Sequence, residues 1–347
     1  MNIKAISTNI GKALLINALF MFISILISIF NGFDSAFTPL LISFLVTFIT
    51  GTFPFIFVKE SCAASLQDGY LTIVLSWLLS FIFGMLPYVL WGGEFTLVNA
   101  WFESVSGYTT TGSTILTDIE ALPKSLLFWR SSTHFIGGLG VIIFLLMILP
   151  EDSPAKLKLS HLELSALSRE GYRYKTSTIT RVMVSVYIGL ILVETLLLWG
   201  AGMTLFDAVN HAFSTVATGG FSTKNISIMY YDSVAIDIII TVFMAMSAMH
   251  FGVLFAIFAQ RSLKPLRHSV TKYYFSIITV FSLIITLSLM VQGEYGSWGK
   301  AALDSVFQTV SYLSTTGFGQ ADNATWPLLA NTILLIAATV CSSLSLF

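Results

Sequence analysis

Long apolar runs separated by short polar stretches set the pattern of this chain. Eight runs reach the length of about 20 residues that crosses a hydrocarbon core of about 30 Å. They lie at 13–30, 37–58, 71–90, 126–149, 182–200, 234–259, 274–291 and 326–346. Each predicts a helix, since lipid supplies no hydrogen-bond partner to open backbone. Between runs three and four, five and six, and seven and eight lies a stretch of another kind. An amphipathic lead-in (102–106, 206–216 and 307–313) is followed by a short polar segment rich in threonine and glycine. These segments recur roughly a hundred residues apart, the size of one helix–loop–helix unit.

The pattern predicts an all-α polytopic membrane protein, with two leading helices and then three helix–reentrant pore loop–helix repeats of potassium-channel type. The leading helices occupy 1–69, the first pore repeat 70–150 and a cytoplasmic linker 151–180. The second pore repeat follows at 181–260 and the third at 261–347.

The polar segments carry the chemistry. Aligned on their central glycines they read Thr110-Thr111-Gly112-Ser113, Ala217-Thr218-Gly219-Gly220 and Thr315-Thr316-Gly317-Phe318. Non-helical backbone at membrane depth is tolerated where protein or a water-filled path satisfies it. Rings of backbone carbonyls can replace an ion's hydration shell. Glycine reaches positive φ without steric cost, which lets successive carbonyls face one axis. A neighbouring threonine adds χ1 stiffness. The lead-ins, as short helices descending part-way, would point partly negative carbonyl ends at a cavity and favour a cation there. Thr110, Thr111, Gly112, Thr218, Gly219, Thr315, Thr316 and Gly317 are therefore the candidate filter. It would hold a cation through backbone carbonyls, with no transition metal. Tight turns between helices are the plain alternative, weakened by the threefold recurrence.

Composition narrows the class. Charged residues make up 10% of the chain and hydrophobic ones 55%, against about 25% charged in soluble domains. A net charge of −1 gives nucleic-acid binding no support. Cys62 and Cys341 stand far apart, without a disulfide framework or metal spacing. The first run lacks a small-residue cleavage site and reads as a retained anchor. With the amino terminus inside, thirteen of the seventeen Lys and Arg fall on the cytoplasmic side. Only Lys124, Arg130, Lys224 and Lys300 fall toward the other. The positive-inside rule predicts that bias, and it places all three glycine loops externally. The segment 156–181 reads as a solvated linker or a docking surface, and the four basic residues of 261–272 as topogenic charge or as contacts to lipid headgroups or a partner.

Four acids are candidate supports. Glu194 lies inside the fifth run, where a carboxylate must face protein or water; helix–helix hydrogen bonding and a role in cation passage are both open. Glu103 precedes the first loop and can hold it by hydrogen bonds. Asp207 and Asp304, at the mouths of the second and third loops, either raise the local cation concentration or are solvated loop acids. Arg130 reads as a snorkelling or loop-anchoring residue. Gly137, Gly138 and Gly140 permit close helix approach; inside a span, with no preceding strand, they are no nucleotide loop. His134, His161, His211, His250 and His268 lack metal-ligand spacing, and His134 and His211 read as helix-packing groups. No nucleophile–base constellation stands out, so an enzyme is not expected.

Several stretches resemble the Trk/Ktr/HKT potassium-transporter superfamily, and within it the TrkH-type membrane subunit. They are 102–112 (FESVSGYTTTG), 122–124 (LPK), 128–131 (FWRS), 136–140 (IGGLG), 210–215 (NHAFST) with 218–223 (TGGFST), and 315–318 (TTGF). The two leading helices favour the TrkH over the Ktr type. The resemblance implies K⁺ uptake across the cytoplasmic (inner) membrane, as channel or cation symporter, with a filter of single glycines. It also implies a homodimer in the lipid bilayer with a TrkA-type cytoplasmic nucleotide-binding regulatory subunit. No cofactor is expected on this chain; K⁺ is the substrate ion. The superfamily has four repeats and three are visible here, so a truncated or frameshifted product or a fragment is expected, or else a ring completed by oligomerisation. The competing functions are a truncated, non-conducting membrane subunit and a secondary transporter of another small solute. Loops entering from one face disfavour the latter, whose inverted repeats would place them on opposite faces.

Overall fold

The computed structural model describes residues 2–58, 65–148, 176–249, 253, 257 and 269–344. The linker expected at 151–180 falls outside the described residues up to residue 175. So do Cys62, His161, His250, His268 and the basic connection from 261 to 268. Among the described residues every regular element is helical. They form two compact units, one made of the helices before residue 149, the other running on from Arg181.

In the first unit, α1 (Ile3–Phe30) packs along α2 (Phe37–Phe57), and also touches α3 (Leu66–Gly84) and α6 (Lys124–Ile148). The helix α1 begins well before the apolar run at 13. The Asn2 side chain caps it by accepting from the Ala5 amide, and Ser7 and Thr8 satisfy their hydroxyls on the Lys4 carbonyl. Asn17, fully buried in the middle of α1, donates to Ser80 Oγ on α3 at 3.0 Å and accepts from the Tyr108 hydroxyl. A buried amide must find such partners, and here they fix three elements to one another.

The run at 71–90 is not one helix. α3 ends at Gly84, and α4 (Leu86–Trp91) restarts with Pro87 in its first turn. Proline lacks the N–H that would continue the ladder and its ring crowds the preceding turn. The Gly84 carbonyl is taken up by the Trp129 indole N–H at 3.1 Å.

The 12-residue helix α5 (Leu97–Tyr108) is capped by Thr96 and packs on α3, α4 and α6. Its C-terminal end lies so close to α6 that a Cβ on Gly137 would overlap the Tyr108 carbonyl. The close approach expected of the 137–140 glycines is thus made at the first loop.

From Arg181 on, the second unit contains most of α7 (Thr176–Gly200), the short α8 (Leu205–Val216), a 3-10 turn at Ser227–Tyr231 and α9 (Val234–Ser247). After these come α10 (Ser269–Val291), α11 (Trp298–Leu313), a 3-10 turn at Asn323–Thr325 and α12 (Leu328–Leu344). α11 is the central element, packed against α9, α10 and α12. Its Phe307, Val310 and Leu313 share a core with Ile236, Ile240, Met244 and Ile278. The helix α9 ends at Ser247, where a continuous span to 259 is expected from the sequence; a turn follows at Ala248.

Among the described residues five segments are long and apolar enough to cross a membrane: Ile3–Phe30, Phe37–Phe57, Gln67–Trp91, Arg181–Gly200 and Thr271–Val291. They carry outward-facing Leu19, Phe22, Phe48, Phe53, Leu192 and Leu283, as a lipid-facing surface requires. The fold is an all-α polytopic membrane protein with three helix–reentrant loop–helix repeats.

Candidate functional site

Each reentrant loop begins where a short helix runs out of hydrogen bonds. α5, α8 and α11 end at Tyr108, Val216 and Leu313, and two residues later the chain enters the left-handed region at a threonine. The φ values are 52° at Thr110, 53° at Thr218 and 58° at Thr315. Helices commonly end on a left-handed residue, but it is usually glycine. A β-branched residue there is an outlier, held in place by its surroundings. The same bonds hold the first two turns. Thr110 and Thr218 donate their amides to Gly107 and Thr215 carbonyls, and Thr111 and Gly219 donate to Ser106 and Ser214. In the third, Thr315 donates to Tyr312, and Gly317 to Ser311 at 3.3 Å.

The second left-handed residue sits two positions on: Gly112 (75°), Gly220 (82°) and Gly317 (80°). Alignment of the second loop on Gly219 is therefore one residue out of register. Gly220 matches Gly112 and Gly317, and Gly219 takes the place of Thr111 and Thr316. The adjacent pair Gly219-Gly220 gives no sequence clue as to which carries the turn; the φ values do. A left-handed residue, one of ordinary handedness, then another left-handed residue turns successive carbonyls toward one side, where a regular strand alternates them.

The limbs are tied by side chains. Thr109 and Thr111 hydroxyls meet at 2.8 Å, and Ser314 and Thr316 meet in the same way at 2.7 Å. The Ser106 hydroxyl donates to the Ser113 carbonyl, and that of Ser311 to Phe318. The second and third loops interlock. The Gly319 carbonyl accepts from the Ile228 and Met229 amides, and a Cβ on Gly220 would overlap the Thr316 carbonyl.

The model of the TrkH family, described as a cation transport protein, matches residues 38–291. The chain belongs to the TrkH family. It is 35% identical over 247 residues to the Trk system potassium uptake protein TrkH of Salmonella typhimurium, covering 71% of this chain and 51% of that protein. It is 31% identical over 245 residues to the TrkG protein of Escherichia coli, covering 70% and 50%. The crystal structure of the potassium transporter TrkH from Vibrio parahaemolyticus superposes with a TM-score of 0.84 at 30% identity, covering 97% of this chain and 70% of that one. The chain thus spans about half the length of the curated relatives it matches.

The supporting acids of this TrkH family member divide into two groups. Glu103 is fully buried, pairs with Arg130 of α6, and accepts from the Thr114 hydroxyl (3.0 Å) and the Ile115 amide (3.3 Å). Arg130 is 2% exposed; it anchors the loop through Glu103 and does not snorkel, since its partner lies inside. Asp207 and Asp304 are likewise buried, at 8% and 2% exposure, which excludes the reading as solvated acids. Asp207 accepts from the Thr223 hydroxyl at 2.7 Å. Asp304 accepts from Gln320 Nε2 at 2.9 Å and from the Tyr295 hydroxyl. Burial, with that bond to Asp304, pushes the Tyr295 phenol above its usual range. Asp304 also borders a polar cavity of about 230 Å³ with Asp232, Asp237, Lys300 and Asp322.

Glu194 stands apart. It is fully buried in α7 beside Thr215 of α8. The Thr215 hydroxyl is committed to the His211 carbonyl, and among the described residues no hydrogen bond reaches either Glu194 carboxyl oxygen. An unpaired carboxylate in such surroundings is costly, so Glu194→Gln is expected to preserve or raise the melting temperature of the purified protein. A substantial fall would mean that the carboxylate is ionised and holds a cation.

Sequence reasoning passed over Gln308, whose Nε2 donates to the Ala321 carbonyl. His211, read as a helix-packing group, bonds to the Asp207 carbonyl of its own helix and also contacts the second loop at Ser222. A polar residue on the buried face of an otherwise amphipathic lead-in was the available signal.

Proposed function

We propose that this chain forms the pore part of a K⁺ uptake protein, in which backbone carbonyls of the three glycine loops replace the water around the ion. The observation that carries this reading is the shared backbone: a left-handed threonine and, two residues on, a left-handed glycine, at the end of three short helices. Three β-branched residues in a strained conformation at matching places are what a repeated functional constraint produces. The names of the relatives, potassium uptake proteins of the Trk system, supply the substrate. The candidate filter is then Thr110, Thr111, Gly112, Thr218, Gly219, Gly220, Thr315, Thr316 and Gly317, with Glu103, Asp207 and Asp304 holding it.

The same reading places the protein in the cytoplasmic membrane as a homodimer, amino terminus inside and loops outside. Its partner is a cytoplasmic nucleotide-binding subunit of TrkA type, and it needs no bound cofactor. Channel and symporter modes both fit such a filter.

Reconstituted into liposomes with K⁺ trapped inside, the protein is expected to take up ⁸⁶Rb⁺ from the medium. External K⁺ should compete with that uptake far better than Na⁺. Equal competition by the two ions would overturn a K⁺-selective filter, and no uptake at all would leave a non-conducting subunit as the reading.

A further inference from the structure

The three repeats place a buried polar side chain at one position, seven residues ahead of the left-handed threonine: Glu103, His211 and Gln308. Their exposures are 0%, 0% and 1%. All three lie on the short helix and reach forward to the limb of the loop that leaves the glycine. Glu103 accepts from Thr114, eleven residues on. His211 Nε2 lies 2.9 Å from Ser222 Oγ, again eleven residues on. Gln308 Nε2 donates to the Ala321 carbonyl, thirteen residues on, at 3.3 Å.

The protons can be assigned in the second repeat. His211 Nδ1 lies 2.8 Å from the Asp207 carbonyl, which can only accept, so Nδ1 carries the proton. In the neutral ring Nε2 is then an acceptor, and the Ser222 hydroxyl donates to it. Ser222 Oγ in turn accepts from the Lys224 amide at 3.0 Å. A second level lies farther out. Asp207 holds Thr223 and Asp304 holds Gln320, each sixteen residues along. In the first repeat Glu94 does this work, accepting from the Thr117 hydroxyl and amide.

We propose that Glu103, His211 and Gln308 are positioning residues with one role, pegs that fix the outgoing limb of each loop and thereby set the discrimination between K⁺ and smaller cations. The inference rests on the carbonyl-filter reading above. The left-handed glycines precede the pegged residues by two positions in the first two loops and four in the third, and a limb released from its peg lets the carbonyls close on a smaller ion. Different chemistry at one position, a paired carboxylate, a neutral imidazole and an amide, argues that the reach to the loop is what matters there, and not a particular charge.

The test uses the full chain in liposomes, comparing ⁸⁶Rb⁺ uptake with K⁺ or Na⁺ as competitor, and its melting in KCl against NaCl. Ser222→Ala removes the receiver of the second peg with a small change of volume. It is expected to lower the K⁺ over Na⁺ preference about tenfold, the factor that about one hydrogen bond carries. Gln308→Leu and His211→Leu are expected to do the same, and His211→Gln, which carries the head group of the third repeat, to rescue the second. If wild-type protein shows no preference, the filter reading itself fails. If wild type discriminates and Ser222→Ala discriminates equally, the peg is overturned even should the leucine variants not fold.

Discussion

Arg130→Gln is expected to lower the stability of the protein by about 3–5 kcal/mol, because it leaves a buried charge without its counter-ion. Arg130 and Glu103 are 2% and 0% exposed. Once the guanidinium is gone, the carboxylate keeps the Thr114 hydroxyl and the Ile115 amide as donors, and no positive charge pairs with it among these. The double substitution Glu103→Gln/Arg130→Gln removes both charges and should recover much of the loss, since replacing a whole buried pair is often close to neutral. Heating detergent-purified protein and following the monodisperse fraction measures both. A single variant that melts with wild type would show that the pair is solvated, and the first loop would lose its proposed anchor.

The helical spans were legible because lipid imposes one solution on a long apolar run. The breaks inside them were less so. Pro87 marked the end of α3, yet the run from 71 to 90 is apolar throughout, and nothing in its hydropathy distinguishes one helix from two. The start of α1 was hidden because Ser7, Thr8 and Asn9 interrupt the apolar run, although two of them bond back to their own helix. The lead-ins at 102–106 and 307–313 are longer as helices, beginning at Leu97 and Trp298, because caps and tertiary packing extend them beyond their amphipathic cores.

The site divides in the same way. Repetition of threonine and glycine revealed where the loops lie. The burial of Asp207 and Asp304 was not legible, since an acid at a loop mouth looks the same whether it faces water or a polar side chain sixteen residues later. His211 Nε2 and the Gln308 amide acquire their partners only when the chain doubles back past its own glycine.

The register of the second loop leads to the other large effect. Gly220→Ala is expected to reduce ⁸⁶Rb⁺ uptake by tenfold or more, whereas Gly219→Ala should leave it within about twofold of wild type, on the scale where 1.4 kcal/mol is tenfold. Two costs meet at Gly220. Its φ of 82° lies where an L side chain costs about 1–2 kcal/mol. Its Cβ would overlap the Thr316 carbonyl, which is backbone and cannot rotate aside, and overpacking of this kind costs about 1–3 kcal/mol more. Relief requires the Thr316 carbonyl to move, so the injury passes from the second loop to a candidate ion ligand of the third. Gly219 lies outside the left-handed set, and its counterparts Thr111 and Thr316 carry branched side chains. Its backbone therefore admits a Cβ. The two variants differ in the position of one methyl group, which separates register from mere crowding. Equal loss in both, at matched abundance in the membrane, would return the turn to Gly219 and undo the alignment of the three loops.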